Sequence, residues 1–170
     1  MNWTELLKGE IAYAFTVTDG LMDLVDDDEL NWKPATGDNW MTTGQLLHHI
    51  ATASGGAFRG FITGDWGIPA EQMSPDDMLP LAEIMPKVKT VAEAKKALAE
   101  DKRMALALLA ETSEDDLANK SAPAPWDPSD MKLGQRLLQM VGHLDQHKGQ
   151  LFYYLKLQGK PVNTSHLWGM

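Results

Sequence analysis

The chain predicts an all-α fold, a four-helix bundle with a long crossover between its second and third helices. Three observations carry this expectation. Four stretches repeat apolar residues at intervals of three and four, the signature of one buried helical face. No stretch alternates apolar and polar residues over the length of a strand, and there is no internal repeat. The 170 residues, 44% of them hydrophobic, suit one domain spanning residues 1–170 with a single core.

The first stretch runs from about Trp3 to Val25, with Leu7, Ile11, Ala14, Thr18, Leu21 and Val25 in helical phase. The second starts near Thr43, because Thr42 and Gln45 have capping-box spacing. It continues through Leu46, Ile50, Ala53, Ala57 and Phe61 to about Thr63. Thr90 and Glu93 form another such pair, opening a third helix that carries Val91, Ala94, Leu98, Ala105 and Leu108 to about Thr112. The fourth begins near Asp130 and passes through Leu137, Val141, Leu144, Leu151 and Leu155. Gly159 stops it, with Pro161 just beyond. Four helices of this kind bury their apolar faces by forming a bundle.

The connections constrain the topology. Residues 65–89 contain Pro69, Pro75, Pro80 and Pro86, so no regular helix runs through them, and the segment far exceeds the roughly 2–8 residues usual between antiparallel neighbours. A connection this long can cross the whole bundle, which makes the second and third helices parallel. The loops before the second and fourth helices are also long, and they carry Trp32, Trp40 and Trp126. Tryptophans in such loops plug the open ends of a small core, and they can line a ligand site as well.

Composition removes several classes of function. The net charge of -9 repels a phosphate backbone, which disfavours nucleic acid as a partner. The absence of cysteine excludes disulfides, thiolate metal ligands, iron–sulfur clusters and a cysteine nucleophile. Any transition metal must therefore be held by nitrogen and oxygen. The opening residues MNWTELLKGEIAYAF show no basic segment followed by an apolar block, and no run approaches ~18 apolar residues. A cytoplasmic protein without membrane partners is expected.

The chemistry is carried by histidine. His143 and His147 stand one helical turn apart on the fourth helix and project from the same face, so they can share one metal ion if a partner helix supplies a third nitrogen. At about 100° per residue, both lie on the rim of that helix's apolar face. On the second helix His49 is also a rim residue, whereas His48 points away and is expected in solvent. Rim positions suit a metal with protein on one side and open coordination positions on the other. Taken alone, His49 also fits a histidine satisfied by a neighbour at the core edge.

Two segments, LNWKPATGDNWMTTGQLLHHIATA and HLDQHKGQLFYYLKLQGKPV, resemble the DinB/YfiT-like family of four-helix metalloproteins. The resemblance spans nearly the whole chain: the opening helix, Trp32, Lys33 and Pro34 in the loop before the second helix, the LL-x-H start of that helix, the H-x3-H-K-G-Q block, and the terminal Trp168 and Gly169. The H-x3-H-K-G-Q block is its specific part. The resemblance implies a metal triad of His49, His143 and His147, with His48 out of register. It also implies a four-helix bundle with a long crossover, and a homodimer packed through bundle helices. Activities in the family are heterogeneous. Some relatives are thiol-dependent transferases or isomerases using bacillithiol, mycothiol or glutathione, and others are called hydrolases.

Three neutral imidazoles leave a divalent ion its full charge and one to three open positions, where a water or thiol is acidified. Zinc, nickel and iron(II) all accept imidazole, so the ligands do not select the metal. Because the chain has no cysteine, a thiol must come from a low-molecular-weight cofactor. The expected function is thiol-dependent S-transfer to a small electrophile, with metal-dependent hydrolysis as the alternative. The catalytic residues beyond the triad are not identified. Gln150 and Tyr154 continue the histidine stripe and could support the ligands or touch substrate, or simply pack on the helix surface, while Asp145 is expected to be solvated or to face a dimer partner. Two non-catalytic readings stay open: a metal that only fixes helices two and four, and a binding module lidded by Met73, Met78 and Met85.

Overall fold

The structure, a computed structural model, describes residues 2–67 and 81–170. Its helices are α1 (Trp3–Met22), α2 (Thr43–Thr63), α3 (Val91–Ala110), α4 (Glu114–Asn119), α5 (Leu133–Leu157) and α6 (Thr164–Trp168). The described residues contain no named strand, only two isolated bridges in the connection between α4 and α5. None of these helices is long and apolar enough to cross a membrane.

Helices α1, α2 and α3 each begin where a side chain satisfies free N–H groups of the first turn. Asn2 accepts from Glu5 N at 2.9 Å. The carboxylate of Glu114, at the start of α4, accepts from the backbone of both Trp3 (3.0 Å) and Thr4 (2.8 Å), so α4 caps α1 across the fold. The Thr4 side-chain hydroxyl first, and the two backbone N–H groups after it, hold the Glu114 carboxyl below its usual range. Thr42 and Gln45 form the expected capping box on α2. On α3 the box is half made: Thr90 accepts from Glu93 N, but the Glu93 carboxylate takes Lys89 N instead. The C-terminus of α5 closes in a Schellman motif. Gly159 sits at φ 80°, Gly159 N–H donates to Lys156 O, and Lys160 N–H donates to Leu155 O, each at 3.0 Å.

Helices α1 and α2 each pack against both α3 and α5, which places α1 and α2 at opposite corners of the four-helix layout. Their shared interior is filled by Leu7, Ile11, Leu46, Ile50, Leu98, Leu137 and Leu151, each at most 1% exposed. Helices α2 and α3 are parallel. Val88 N donates to Gly44 O where both begin, and about three turns later Gly55 N donates to Asp101 Oδ2. The crossover that makes this possible lies mostly outside the described residues, with Pro69, Pro75 and Pro80. Its exit is fixed to the start of α2, where Gln45 Nε2 donates to Ala82 O (2.6 Å) and Met85 O (3.0 Å).

Two polar contacts inside the bundle are unusual. Lys148 on α5 is 5% exposed, with its ammonium 5.4 Å from the ring centre of Tyr13 and 5.9 Å from that of Trp168, joining α1 and α6 to α5. Its counter-charge is Asp145 Oδ1 at 2.9 Å, an ion pair without hydrogen-bond geometry. Asp101 on α3 is buried where α2 offers backbone N–H groups at Ser54, Gly55 and Gly56. Only glycine fits at 55, because a Cβ there would come within 2.6 Å of Asp101 O and Oδ1.

Burial outweighs those N–H donors and raises the Asp101 carboxyl from 3.8 to about 6. The folded state then binds a proton more tightly than the unfolded chain does, so this group's contribution to stability falls as pH rises from about 4 to about 6. Urea unfolding across that window should show Asp101→Asn gaining on the native protein by ~3 kcal/mol at most at the upper end. Parallel curves for the two proteins would show that Asp101 is already ionised at pH 4.

Candidate metal centre

The cluster is built by two helices. His49 is in the second turn of α2, and His143 and His147 occupy successive turns of α5, which packs on α2. Their three Nε2 atoms converge: His143 to His147 is 2.9 Å, His49 to His147 is 3.2 Å, and His49 to His143 is 3.4 Å. The rings meet edge to face with centroids 4.5–5.1 Å apart. Two nitrogens bound about 2.0–2.1 Å from one ion lie roughly 2.9 Å apart at a right angle and roughly 3.4 Å apart at the tetrahedral angle. All three observed separations fall between those limits, so the donor set fits one divalent ion.

Protonation agrees with that fit. Burial, and after it the neighbouring imidazoles, lowers His49 and His143 from 6.5 to about 4, which keeps both neutral at pH 7 as metal ligation requires. The tautomer of His147 follows from a chain of hydrogen bonds. Tyr154 Oη donates its one hydrogen to Met41 O at 2.9 Å, so it accepts from Gln150 Nε2 at 3.3 Å. That turns Gln150 Oε1 toward His147 Nδ1 at 2.9 Å. An amide oxygen only accepts, so Nδ1 carries the hydrogen and Nε2 brings a lone pair to the cluster.

The histidines open onto a cavity of about 590 Å³, within the range that takes a small molecule. Trp66 and Trp126 form one wall, and Ala53, Gly56 and Ala57 of α2 contribute small side chains. No Asp, Glu, Lys or Arg lines it among the described residues. Gln139, one turn before His143, also lines it, with its Oε1 taken by Arg136 Nη1 at 3.0 Å.

The expected residues are distributed as follows. His49, His143 and His147 come together, and Gln150 and Tyr154 support His147 rather than lying idle on the helix surface. His48 stays out of the cluster, though it is half-buried instead of fully in solvent. Asp145 is half-buried against Lys148, because a buried ammonium one turn away needs its charge. Of the loop tryptophans, Trp32 packs edge-on against Tyr154 at 5.2 Å, Trp40 is 38% exposed, and Trp126 lines the cavity. Met73 and Met78 lie outside the described residues, and Met85 is half-buried beside the start of α2, held there through its backbone.

Two features were not anticipated. Ala53 and Ala57, assigned to the core face of the second helix by their spacing, line the cavity, and the residues of α2 buried beside them include Ser54 and Phe58. Trp66 follows α2 immediately, and its place against that helix is signalled in the sequence only by Gly60. A Cβ at Gly60 would meet the Trp66 ring at 2.3–2.6 Å.

Comparison with known proteins bears on the bundle and on the family. No curated protein matches the chain. Among solved structures, a DinB-like protein from Bacillus cereus superposes with a TM-score of 0.67 at 20% identity, covering 94% of this chain and 95% of that one. A DinB-like protein from Bacillus subtilis, YjoA, gives 0.63 at 18% identity, covering 92% and 94%. At those identities the likeness is one of fold. The DinB superfamily model matches the sequence itself over residues 11–151, from the middle of α1 into α5, taking in all three histidines of the cluster. With that match spanning most of the bundle and a three-histidine cluster compatible with a metal site, the chain belongs to the DinB superfamily.

Proposed function

We propose that His49, His143 and His147 bind one divalent transition metal, zinc, nickel or iron(II), and that the protein uses it for thiol-dependent S-transfer to a small electrophile. The observation that carries this reading is the convergence of three Nε2 atoms within 3.4 Å on a cavity lined by no carboxylate among the described residues. When bound, the ion acidifies a coordinated thiol or water and leaves it nucleophilic near neutral pH. The chain's own residues supply the rest. Gln150 fixes His147 with its lone pair toward the cluster, burial keeps His49 and His143 neutral, and Trp66 and Trp126 line the cavity onto which the histidines open.

Thiol chemistry is favoured over hydrolysis because no carboxylate lines the cavity among the described residues to serve as the general base that metal-assisted hydrolysis commonly uses, and a thiol is already far more acidic than water before any metal would lower its pKa. The thiol is a low-molecular-weight cofactor, since the protein has no cysteine. A screen of small electrophiles with the metal-loaded protein, with and without glutathione or bacillithiol, tests the reading. Turnover is expected only with thiol present and is lost in His147→Ala. Ester or amide turnover without thiol, lost in the same variant, would move the assignment to hydrolysis. A metal with no exchangeable ligand would leave only a structural role.

A homodimer belongs to the same proposal. Tyr153 and Leu157, 64% and 65% exposed, stand one turn apart on α5 and give it an apolar outer face. Light scattering at micromolar concentration should give twice the 18.8 kDa chain mass, and a monomer mass would count against the dimer.

A further inference from the structure

We propose that the Trp66 and Trp126 wall of the cavity binds the body of the substrate, and that this body is a neutral, flat, apolar group, aromatic in its simplest form. The inference rests on the cavity being the substrate site of the reaction proposed above, although the binding itself needs no metal. The two indoles meet edge to face, with centroids 5.4 Å apart and planes at 76°. Phe61 backs both, at 4.9 Å from Trp66 and 6.1 Å from Trp126. Edge-to-face pairs leave ring faces and edges that a third ring can join in the same geometry.

Both indoles come from connections rather than helices, and both are held. Trp66 lies directly on the backbone of α2 at Gly60, where a methyl group would strike it. Trp126 belongs to the segment between α4 and α5 that the buried Arg136 ties down through Ala122 O, Asp127 and Ser129. Fixed rings lose little freedom when a ligand stacks on them. Beyond His49, the α2 side of the cavity offers small residues at Thr52, Ala53, Gly56 and Ala57, which leaves room for a ring between helix and wall.

Charge selects in the same direction. No Asp, Glu, Lys or Arg lines the cavity among the described residues, so a charged body would lose its hydration without meeting an opposite charge from any of these. An apolar ring gains on both counts, by leaving water and by meeting the indoles.

The test uses metal-free protein, prepared with a chelator, and three neutral ketones followed by ligand-observed NMR titration. Acetophenone should bind more tightly than cyclohexyl methyl ketone, which has a saturated ring of similar size, and acetone should bind least. Trp126→Leu, which keeps an apolar side chain, and Gly60→Ala, which pushes Trp66 off the helix, should each weaken acetophenone about tenfold. Thermal unfolding identifies a variant that has lost its fold. Equal affinity for acetophenone and cyclohexyl methyl ketone, or full acetophenone affinity in either folded variant, would overturn the proposal. The comparison of the three ketones on the unmodified protein decides it even if both variants unfold. Since no metal is present, failure here leaves the metal reading intact, and failure of metal uptake leaves this inference intact.

Discussion

Replacing His49, His143 or His147 with alanine should reduce bound metal from about one ion per chain to near none, measured by elemental analysis after dialysis against a weak chelator. Each supplies one of only three nitrogens, with Nε2 separations of 2.9–3.4 Å that match a common ion. Loss of one ligand therefore costs more than the roughly 10–100-fold in affinity that follows loss of a hydrogen-bond partner behind a ligand. Gln150→Leu should show that smaller effect, because it removes the acceptor at 2.9 Å that fixes the His147 tautomer while leaving all three imidazoles. His48→Ala is the control and should retain full metal content. Metal lost in His48→Ala and kept in His49→Ala would sink the assignment.

The histidine pair on α5 was legible from short-range rules, while the choice of His49 as its third member came from the family resemblance. The i and i+4 spacing of His143 and His147 puts two imidazoles on one face whatever the tertiary fold, and the helical phase of His49 places it at the edge of the α2 core face. Capping was legible for the same reason at Thr42 and Gln45, and the stop at Gly159 follows from one glycine with φ 80°. What the pattern misjudged was shape. Alanine counts as apolar in any periodicity, so Ala53 and Ala57 looked like core, yet a small side chain facing a wide gap defines a cavity instead. Helices α4 and α6, of six and five residues, are too short to show a period. Only their caps mark them, Ser113 accepting from Asp116 N and Asn163 from Ser165 N. Trp66 was missed because its position depends on a close approach to Gly60, which spacing does not report.

The largest loss of stability from a single side chain is expected at Arg136. Its guanidinium is completely buried and donates to Ala122 O, Asp127 Oδ2, Asp127 O, Ser129 O, Ser129 Oγ and Gln139 Oε1, at 2.9–3.2 Å. One residue thus satisfies the interior of the connection that carries Trp126, and a planar fork is needed to reach so many acceptors. Breaking a buried pair by removing one partner costs about 3–5 kcal/mol. Asp127 is 39% exposed and water can replace part of what it loses, so Arg136→Met should cost ~3 kcal/mol. For a chain of this size that lowers Tm by roughly 6–12 °C. Arg136→Lys keeps the charge without the fork and should recover only a small part of the loss. The pH dependence should change with it. The N–H of Ser129 first, and the Arg136 guanidinium next, hold the Asp127 carboxyl below its usual range. The stability this contributes is present above the carboxyl's unfolded pKa and is lost as pH falls through the folded one. Arg136→Met should therefore lose less stability than the native protein on acidification. Urea unfolding at neutral and acid pH measures both effects, and a cost below ~1 kcal/mol, or full recovery by lysine, would show that the connection is held in place by its other contacts.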